Sequence, residues 1–183
     1  MITFLELGKY GRLGNQLFQY AALKSLGLKR GFEVKIPDFS SLEWHGQQCL
    51  LDNFNLEAAS LTPEDLQLLK HAWEERDPDK YESSFFDAPD NTTFKGFFQS
   101  VHYFKEFEEQ IQKELTPKKE FVAKSKAFLE PLRENGRYEL VSIHVRRGDM
   151  MTHMHEMSPS LVFSRENIFD INTIFGNYLT KAV

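Results

Sequence analysis

ITFLELGKYGRLGNQLFQYAALKSLGLKRGFEVKI, residues 2–36, contains the pattern that decides the fold. Residues 2–7 form a short apolar run that predicts a strand, and a glycine-punctuated turn follows over residues 8–14. Apolar residues then recur at helical spacing as far as Gly31. Residues 32–36 predict a second strand, which Pro37 ends. A strand, a turn, a helix and a strand in this order indicate the opening of an α/β domain.

The middle of the chain predicts further helices and strands after an irregular segment at residues 38–60. Thr62 is a helix N-cap candidate, followed by Pro63 at the first helical position, and this helix should run to about Arg76. The remaining elements are expected as strands over 81–86 and 92–99 and as helices over 101–115 and, after Pro117, to Leu132.

A second informative stretch, YELVSIHVRRGD, covers residues 138–149. Its apolar and β-branched run, residues 140–145, suits a central strand of a parallel sheet. Polar groups at the carboxyl end of such a strand lie where open α/β sheets bind ligands. Arg146 and Arg147 could therefore clamp a diphosphate, since guanidinium groups bind phosphate oxygens bidentately. The alternative is a surface salt bridge between Arg147 and Asp149 that caps the strand.

The chain breaks at residues 134–136, just before this strand, which predicts a domain boundary there. We expect an N-terminal α/β domain over residues 1–136 and the start of a second domain over residues 137–183. A doubly wound domain needs several βα units of roughly 30 residues each. The second domain should therefore be incomplete, and the chain is expected to be a fragment.

Composition excludes several classes of protein. The chain has 183 residues, 41% of them hydrophobic and 27% charged, as in a soluble globular protein. A net charge of -5 argues against a nucleic-acid binder. The N-terminus has neither a signal-peptide pattern nor a transmembrane run, so we expect a cytoplasmic or membrane-peripheral protein that is not secreted. The single cysteine, Cys49, has apolar neighbours that favour a buried structural role.

Three other segments carry candidate chemistry, each with a plainer interpretation. In the first turn, Arg12, Asn15 and Gln16 could bind phosphate or sugar, or Asn15 could simply be the helix N-cap. In residues 96–104, Gln99, Ser100 and His102 could line a sugar site, or the segment could be core with Ser100 as an N-cap. The methionines and histidines of residues 150–157 could bind Cu(I), or they could lie in an exposed loop.

Taken together, GRLGNQLFQYA (residues 11–21), GFFQSVHYF (residues 96–104) and HVRRGD (residues 144–149) resemble the α-1,2-fucosyltransferases of glycosyltransferase family 11. The order and approximate separation of the three motifs are also similar to that family. The resemblance implies a GT-B fold, with two Rossmann-like domains facing a cleft. It further implies inverting transfer of L-fucose from GDP-fucose to the 2-hydroxyl of a galactose-containing glycan, without a metal or other cofactor.

The resemblance also implies roles for individual residues. Arg146, supported by Arg147, would neutralise charge on the departing β-phosphate as the catalytic pair. The donor-binding residues would be His144, Asp149, Arg12, Gly14 and Asn15. Gln99, Ser100 and His102 would line the acceptor side of the cleft.

Two departures from the family pattern leave an alternative open. Members of the family continue well beyond this length, and residues 150 onward contain no clear family motif. The activity of the short chain alone is therefore in doubt, and a non-catalytic carbohydrate-binding remnant is the alternative function. No general base is identified.

Overall fold

The computed structural model describes residues 1–39, 43–44, 47–134 and 136–141. Its contacts group the chain into two units, Met1–Leu132 and Arg133–Val183. The account below concerns the first unit. The predicted strand at 140–145 and the residues 150–157 lie largely or wholly outside the described residues. The division into an acceptor-side and a donor-side domain stays a prediction.

A parallel five-stranded sheet is the centre of the first unit. The five strands are β1 (Ile2–Thr3), β2 (Val34–Ile36), β5 (Ala59–Ser60), β6 (His71–Glu74) and β7 (Thr92–Lys95). Their order in the sheet is β5-β2-β1-β7-β6, and all four pairings are parallel. A separate antiparallel pair, β3 (Glu43–Trp44) and β4 (Gln47–Gln48), lies within the segment expected to be irregular.

The mixed α/β class is confirmed, although the first strand is shorter than predicted. The central strand β1 ends at Thr3, because the chain turns at once through hydrogen bonds from Leu7 N to Phe4 O and from Lys9 N to Glu6 O. Phe4 and Leu7 are nevertheless fully buried. The apolar run therefore fills the core as a turn rather than as a strand.

The predicted first helix is confirmed as α1 (Leu13–Arg30). It ends at Gly31, whose left-handed backbone (φ 68°) donates to the carbonyl of Gly27. A Cβ on Gly27 would lie only 2.3 Å from Val34 Cγ2, so this glycine lets α1 pack closely on β2.

The interpretation of Asn15 as the N-cap of this helix is wrong. The N-cap is Arg12, which has an extended backbone (φ -90°, ψ 179°). The helix begins early because Gly11 (φ 81°) completes the turn before it. Asn15 therefore lies inside the first helical turn, where its side chain is available for another contact.

The second helix, α2 (Pro63–Leu68), begins as predicted but ends early. Thr62 caps it, and Asp65 accepts in return from the Thr62 N–H. The predicted continuation to Arg76 is wrong, because His71–Glu74 forms strand β6 beside β7. Pairing with β7 and packing of Trp73 against Phe85 and Phe94 override the local helical preference.

Two other predictions fail around the same core. Residues 81–86 do not form a strand; Ser83–Asp87 is a 3₁₀ helix. The predicted helix over 101–115 is divided into two 3₁₀ turns, Val101–Tyr103 and Lys105–Phe107, and α3 (Glu108–Glu114). The last predicted helix is confirmed as α4 (Lys119–Arg133).

A buried aromatic cluster explains both departures. Phe85 has its ring centroid 5.2 Å from those of both Phe98 and Tyr103, and Phe98 lies 5.4 Å from Tyr103. All three side chains are almost fully buried. Short 3₁₀ turns replace the predicted strand and part of the predicted helix, and they allow these rings from separate segments to pack together.

The buried carboxylate of Glu114 joins α3 to α1. The carboxylate of Glu114 accepts from Lys24 Nζ at 2.7 Å, from the hydroxyl of Tyr20, and from the backbone N–H of Glu57 at 3.1 Å. Burial raises the pKa of Tyr20, and the hydrogen bond to Glu114 raises it further. The tyrosine therefore remains a hydrogen-bond donor at physiological pH.

We expect Glu114→Ala to lower the free energy of unfolding by about 3 kcal/mol, because the partly buried ammonium group of Lys24 and the fully buried hydroxyl of Tyr20 lose their acceptor. Urea denaturation followed by circular dichroism measures this change. Glu106→Ala is the matched control. Glu106 also pairs with a lysine of α1, Lys29, but both side chains of that pair are exposed. Equal losses in the two variants would contradict the role given to Glu114.

Candidate active site

The glycine turn after β1 is built around the buried side chain of Gln16. Its amide Nε2 donates to Gly8 O at 3.2 Å and to Gly11 O at 2.9 Å. Gly8 and Gly11 both have positive φ (89° and 81°), which favours glycine. A Cβ at Gly8 would lie 2.9 Å from the sulfur of Cys49. The turn therefore has one tightly fixed conformation.

The predicted structural role of Cys49 is confirmed. Its thiol is buried and donates to Gln16 Oε1 at 3.7 Å. Burial raises the pKa of this thiol, so it is not a reactive thiolate at neutral pH.

A second turn, after β7, is held by the carboxylate of Glu75. Oε2 accepts from the backbone N–H groups of Phe97 at 2.7 Å and Phe98 at 3.1 Å. Gly96 allows the carboxylate to approach, since a Cβ there would lie 2.6 Å from the Glu75 Cβ. Phe98 has a left-handed backbone (φ 53°), which a non-glycine residue adopts at some cost. The Glu75 bonds hold the turn in this conformation.

Tyr103 supports Glu75 from the opposite side. Its hydroxyl donates to Glu75 Oε1 at 3.4 Å and accepts from the backbone N–H of Glu82 at 3.0 Å. Burial raises the pKa of Tyr103 to about 12, so the hydroxyl stays protonated and keeps donating.

The two turns meet at the carboxyl edge of the sheet, because β1 and β7 are neighbouring parallel strands. Gln99 Nε2 donates to Asn15 Oδ1 at 2.7 Å. The fully buried Gln19 donates to the carbonyls of Tyr10 at 2.9 Å and Gly96 at 3.1 Å. The rings of Tyr10 and Phe97 stack with centroids 4.7 Å apart. Motifs about 80 residues apart in sequence therefore form one surface.

The structure brings together most of the predicted site residues that it describes. Arg12 and Gly14 are exposed at the start of α1, beside Asn15. Ser100 caps the turn Val101–Tyr103, so its N-cap interpretation is confirmed, and His102 is exposed with its ring 5.3 Å from that of Tyr81. The predicted residues His144, Arg146, Arg147 and Asp149 lie outside the described residues.

Sequence reasoning missed Glu75 and Gln19, which position the two turns. It predicted Gln16 as a possible phosphate or sugar ligand, whereas the Gln16 amide donates to the backbone of the glycine turn. Glu75 fell in a segment predicted as helix, so no local pattern could assign it to the end of a strand. Gln16 and Gln19 are spaced i, i+3 on one helix face, which is the only sequence signal for their shared role.

The described residues contain no group of three or more His, Cys, Asp or Glu side chains that could hold a metal ion. Within the same residues, none of the helices is long and apolar enough to cross a membrane.

The model of glycosyl transferase family 11 matches residues 4–178, nearly the whole sequence, including both turns. The chain belongs to glycosyl transferase family 11. No curated protein and no solved structure matches it. The family match confirms the predicted resemblance and identifies the chain as a glycosyltransferase sequence. Membership in this family implies a sugar donor and an acceptor as substrates.

For this family 11 chain, we expect Glu75→Ala to lower the free energy of unfolding by about 3 kcal/mol, since the buried N–H of Phe98 and the partly buried N–H of Phe97 lose their acceptor. Glu75→Gln should cost about 1 kcal/mol, because an amide oxygen can still accept from both. Urea denaturation distinguishes the two variants.

The neighbouring Glu74→Ala is the control. Glu74 is exposed and pairs with Lys95 at 3.0 Å on the surface, so its loss should change the unfolding midpoint little. If all three variants unfold at the same urea concentration, Glu75 does not hold the turn.

Proposed function

We propose that the chain carries out, or forms part of an enzyme that carries out, inverting transfer of L-fucose from GDP-fucose to the 2-hydroxyl of a terminal galactoside. Family membership supports a glycosyl transfer of this kind. The observation that carries the proposal is the 2.7 Å hydrogen bond between Gln99 and Asn15. It joins two motifs that resemble α-1,2-fucosyltransferases on one edge of a parallel sheet, where α/β folds bind ligands.

The start of α1 suits the anionic part of a nucleotide sugar. The first N–H groups of an α-helix have no acceptor within the helix, and the helix dipole favours an anion there. The first turn of α1 contains no acidic residue, and Arg12 adds a permanent positive charge at the N-cap. We assign Arg12, Gly14 and Asn15 to donor binding.

Arg146 and Arg147 are proposed as the catalytic pair. Sugar transfer passes through an oxocarbenium-like state while negative charge collects on the departing diphosphate. Preorganised guanidinium groups stabilise that charge without a metal ion. His144 and Asp149, at the ends of the same motif, would orient the arginines.

The acceptor is assigned to the turn after β7. Gln99, Ser100 and His102 supply an amide, a hydroxyl and an imidazole beside one another in sequence, groups that hydrogen-bond sugar hydroxyls. Val101 and His102 are exposed, so a ligand can reach this segment. A GT-B arrangement of two Rossmann-like domains is part of the same proposal.

We expect Arg146→Lys to lower turnover on the order of 100-fold, because an ammonium group cannot reproduce the bidentate fork. Release of GDP from GDP-fucose in the presence of lactose measures the activity. Arg137→Lys is the control, since Arg137 is exposed and pairs with Glu134 only at 3.7 Å. Near-normal turnover by Arg146→Lys would reject the catalytic assignment. Binding of lactose without any turnover by the parent chain would favour a carbohydrate-binding remnant.

Gly14→Ala tests donor binding at the start of α1. No heavy atom lies within 4 Å of a Cβ placed at Gly14, so alanine should be accepted and should stabilise the helix by about 0.5–1 kcal/mol. If a diphosphate approaches this backbone closely, the added methyl should weaken GDP binding about tenfold. Calorimetry with GDP measures the affinity. A stable variant with unchanged GDP affinity would remove Gly14 from the site.

A further inference from the structure

A cavity of about 450 Å³ opens at the carboxyl ends of β2 and β5, on the other side of β1 from the turn that follows β7. Its size falls within the range of small-molecule sites. The oxygen-bearing side chains of its lining include Asp38, Asp52, Asn55 and Ser60. The apolar side chains of the lining include Phe54 and Leu56.

The charge of the lining selects the class of ligand. Among the described residues, the lining contains two carboxylates, Asp38 and Asp52, and one ammonium group, Lys118, which pairs with Asp52 at 3.4 Å. This balance disfavours a phosphate. The described residues also provide no set of three carboxylate, imidazole or thiol groups for a metal ion. A purely apolar ligand would make no hydrogen bonds to the polar side chains of this lining. A neutral, polyhydroxylated ligand with one apolar face satisfies both kinds of lining.

One wall of the cavity is held in place by backbone bonds. Asn55 donates twice to Thr116 O, from its backbone N–H at 3.2 Å and from its side chain at 2.9 Å. The N–H of Lys118 donates to Asn53 O at 2.8 Å. The segments 53–55 and 116–118 therefore form a preorganised wall, which lowers the entropy cost of binding.

The cavity and the glycine turn of the candidate active site have one neighbour in common, Phe39. This lining residue packs against the glycine turn, since a Cβ on Gly8 would lie 3.3 Å from its ring carbon Cε1. Neighbouring strands of a sheet are about 4.8 Å apart. The cavity beside β2 and β5 is thus displaced from the β1 edge by one or two strand spacings, a distance that a short oligosaccharide can span.

We infer that this cavity is a saccharide subsite, which binds a sugar unit of the acceptor remote from the hydroxyl that receives the new sugar. The inference rests on the proposed function for the identity of the acceptor. The carboxylates and the amide oxygen of Asn55 accept hydrogen bonds from sugar hydroxyls. Phe54 and Leu56 cover the apolar face of the ring. The subsite makes the protein prefer longer glycans over disaccharides.

Ligand-detected NMR on the full 183-residue chain tests the subsite, with lactose and the galactose-terminated tetrasaccharide lacto-N-tetraose as probes. We expect the tetrasaccharide to bind about tenfold more tightly than lactose. Ser60→Trp, at an exposed strand position on the cavity, should abolish that difference. Asp52→Asn is a milder second variant and should reduce the difference without the added bulk. Ser84→Trp, exposed on the 3₁₀ helix Ser83–Asp87 outside the lining, is the matched control and should retain it.

The inference is overturned if the parent chain binds neither probe up to about 10 mM, or if it shows no preference for the tetrasaccharide. It is also overturned if a folded Ser60→Trp variant keeps the preference. Parallel calorimetry with GDP separates this inference from the proposed function. GDP binding without the tetrasaccharide preference rejects the subsite alone. A preference lost in Ser60→Trp, in a chain that does not bind GDP, keeps the subsite and rejects the donor assignment.

Discussion

The buried carboxylate of Glu75 fixes the turn on which the rest of the candidate site depends. By accepting from the N–H groups of Phe97 and Phe98, it holds Phe98 in a left-handed conformation and directs Gln99 toward Asn15. An uncompensated buried carboxylate is costly, so the arrangement persists only because Tyr103 and both N–H groups satisfy it. Fold and site thus depend on the same bonds.

Close backbone approach is the second constraint. Gly8 lies against Cys49 and Phe39, while Gly96 lies against Glu75, and a Cβ at either position would collide with a neighbour. These contacts bring the turns after β1 and β7 against the sheet edge, and they leave Arg12, Gly14 and Gln99 on the outside. The contrast between packed Gly8 and open Gly14 separates a glycine needed for folding from one available to a ligand.

The predictable parts of the fold are those in which local pattern and tertiary context agree. Helix α1 was predictable because its apolar spacing, its glycine turn and Gly31 all indicate the same element. Thr62 and Pro63 likewise identified the start of α2, and the structure adds the capping box between Thr62 and Asp65. Residues 71–74 were mispredicted because their strand depends on a partner, β7, that is about 20 residues away in sequence. The motifs of the candidate site could be found from the sequence, but Glu75 could not, because its role exists only between two separate segments.

The sequence by itself determined the α/β class, the first helix, the buried state of Cys49 and membership in glycosyl transferase family 11. All of these follow from local periodicity, composition and linear motifs. Only the tertiary structure decided that Gln99 bonds to Asn15, that Glu75 holds the turn after β7, and that a polar cavity opens beside β2 and β5. The physical reason is the order of the strands in the sheet. Strand β1 lies between β2 and β7, and no local sequence pattern predicts that β1 and β7, about 90 residues apart, pair with each other.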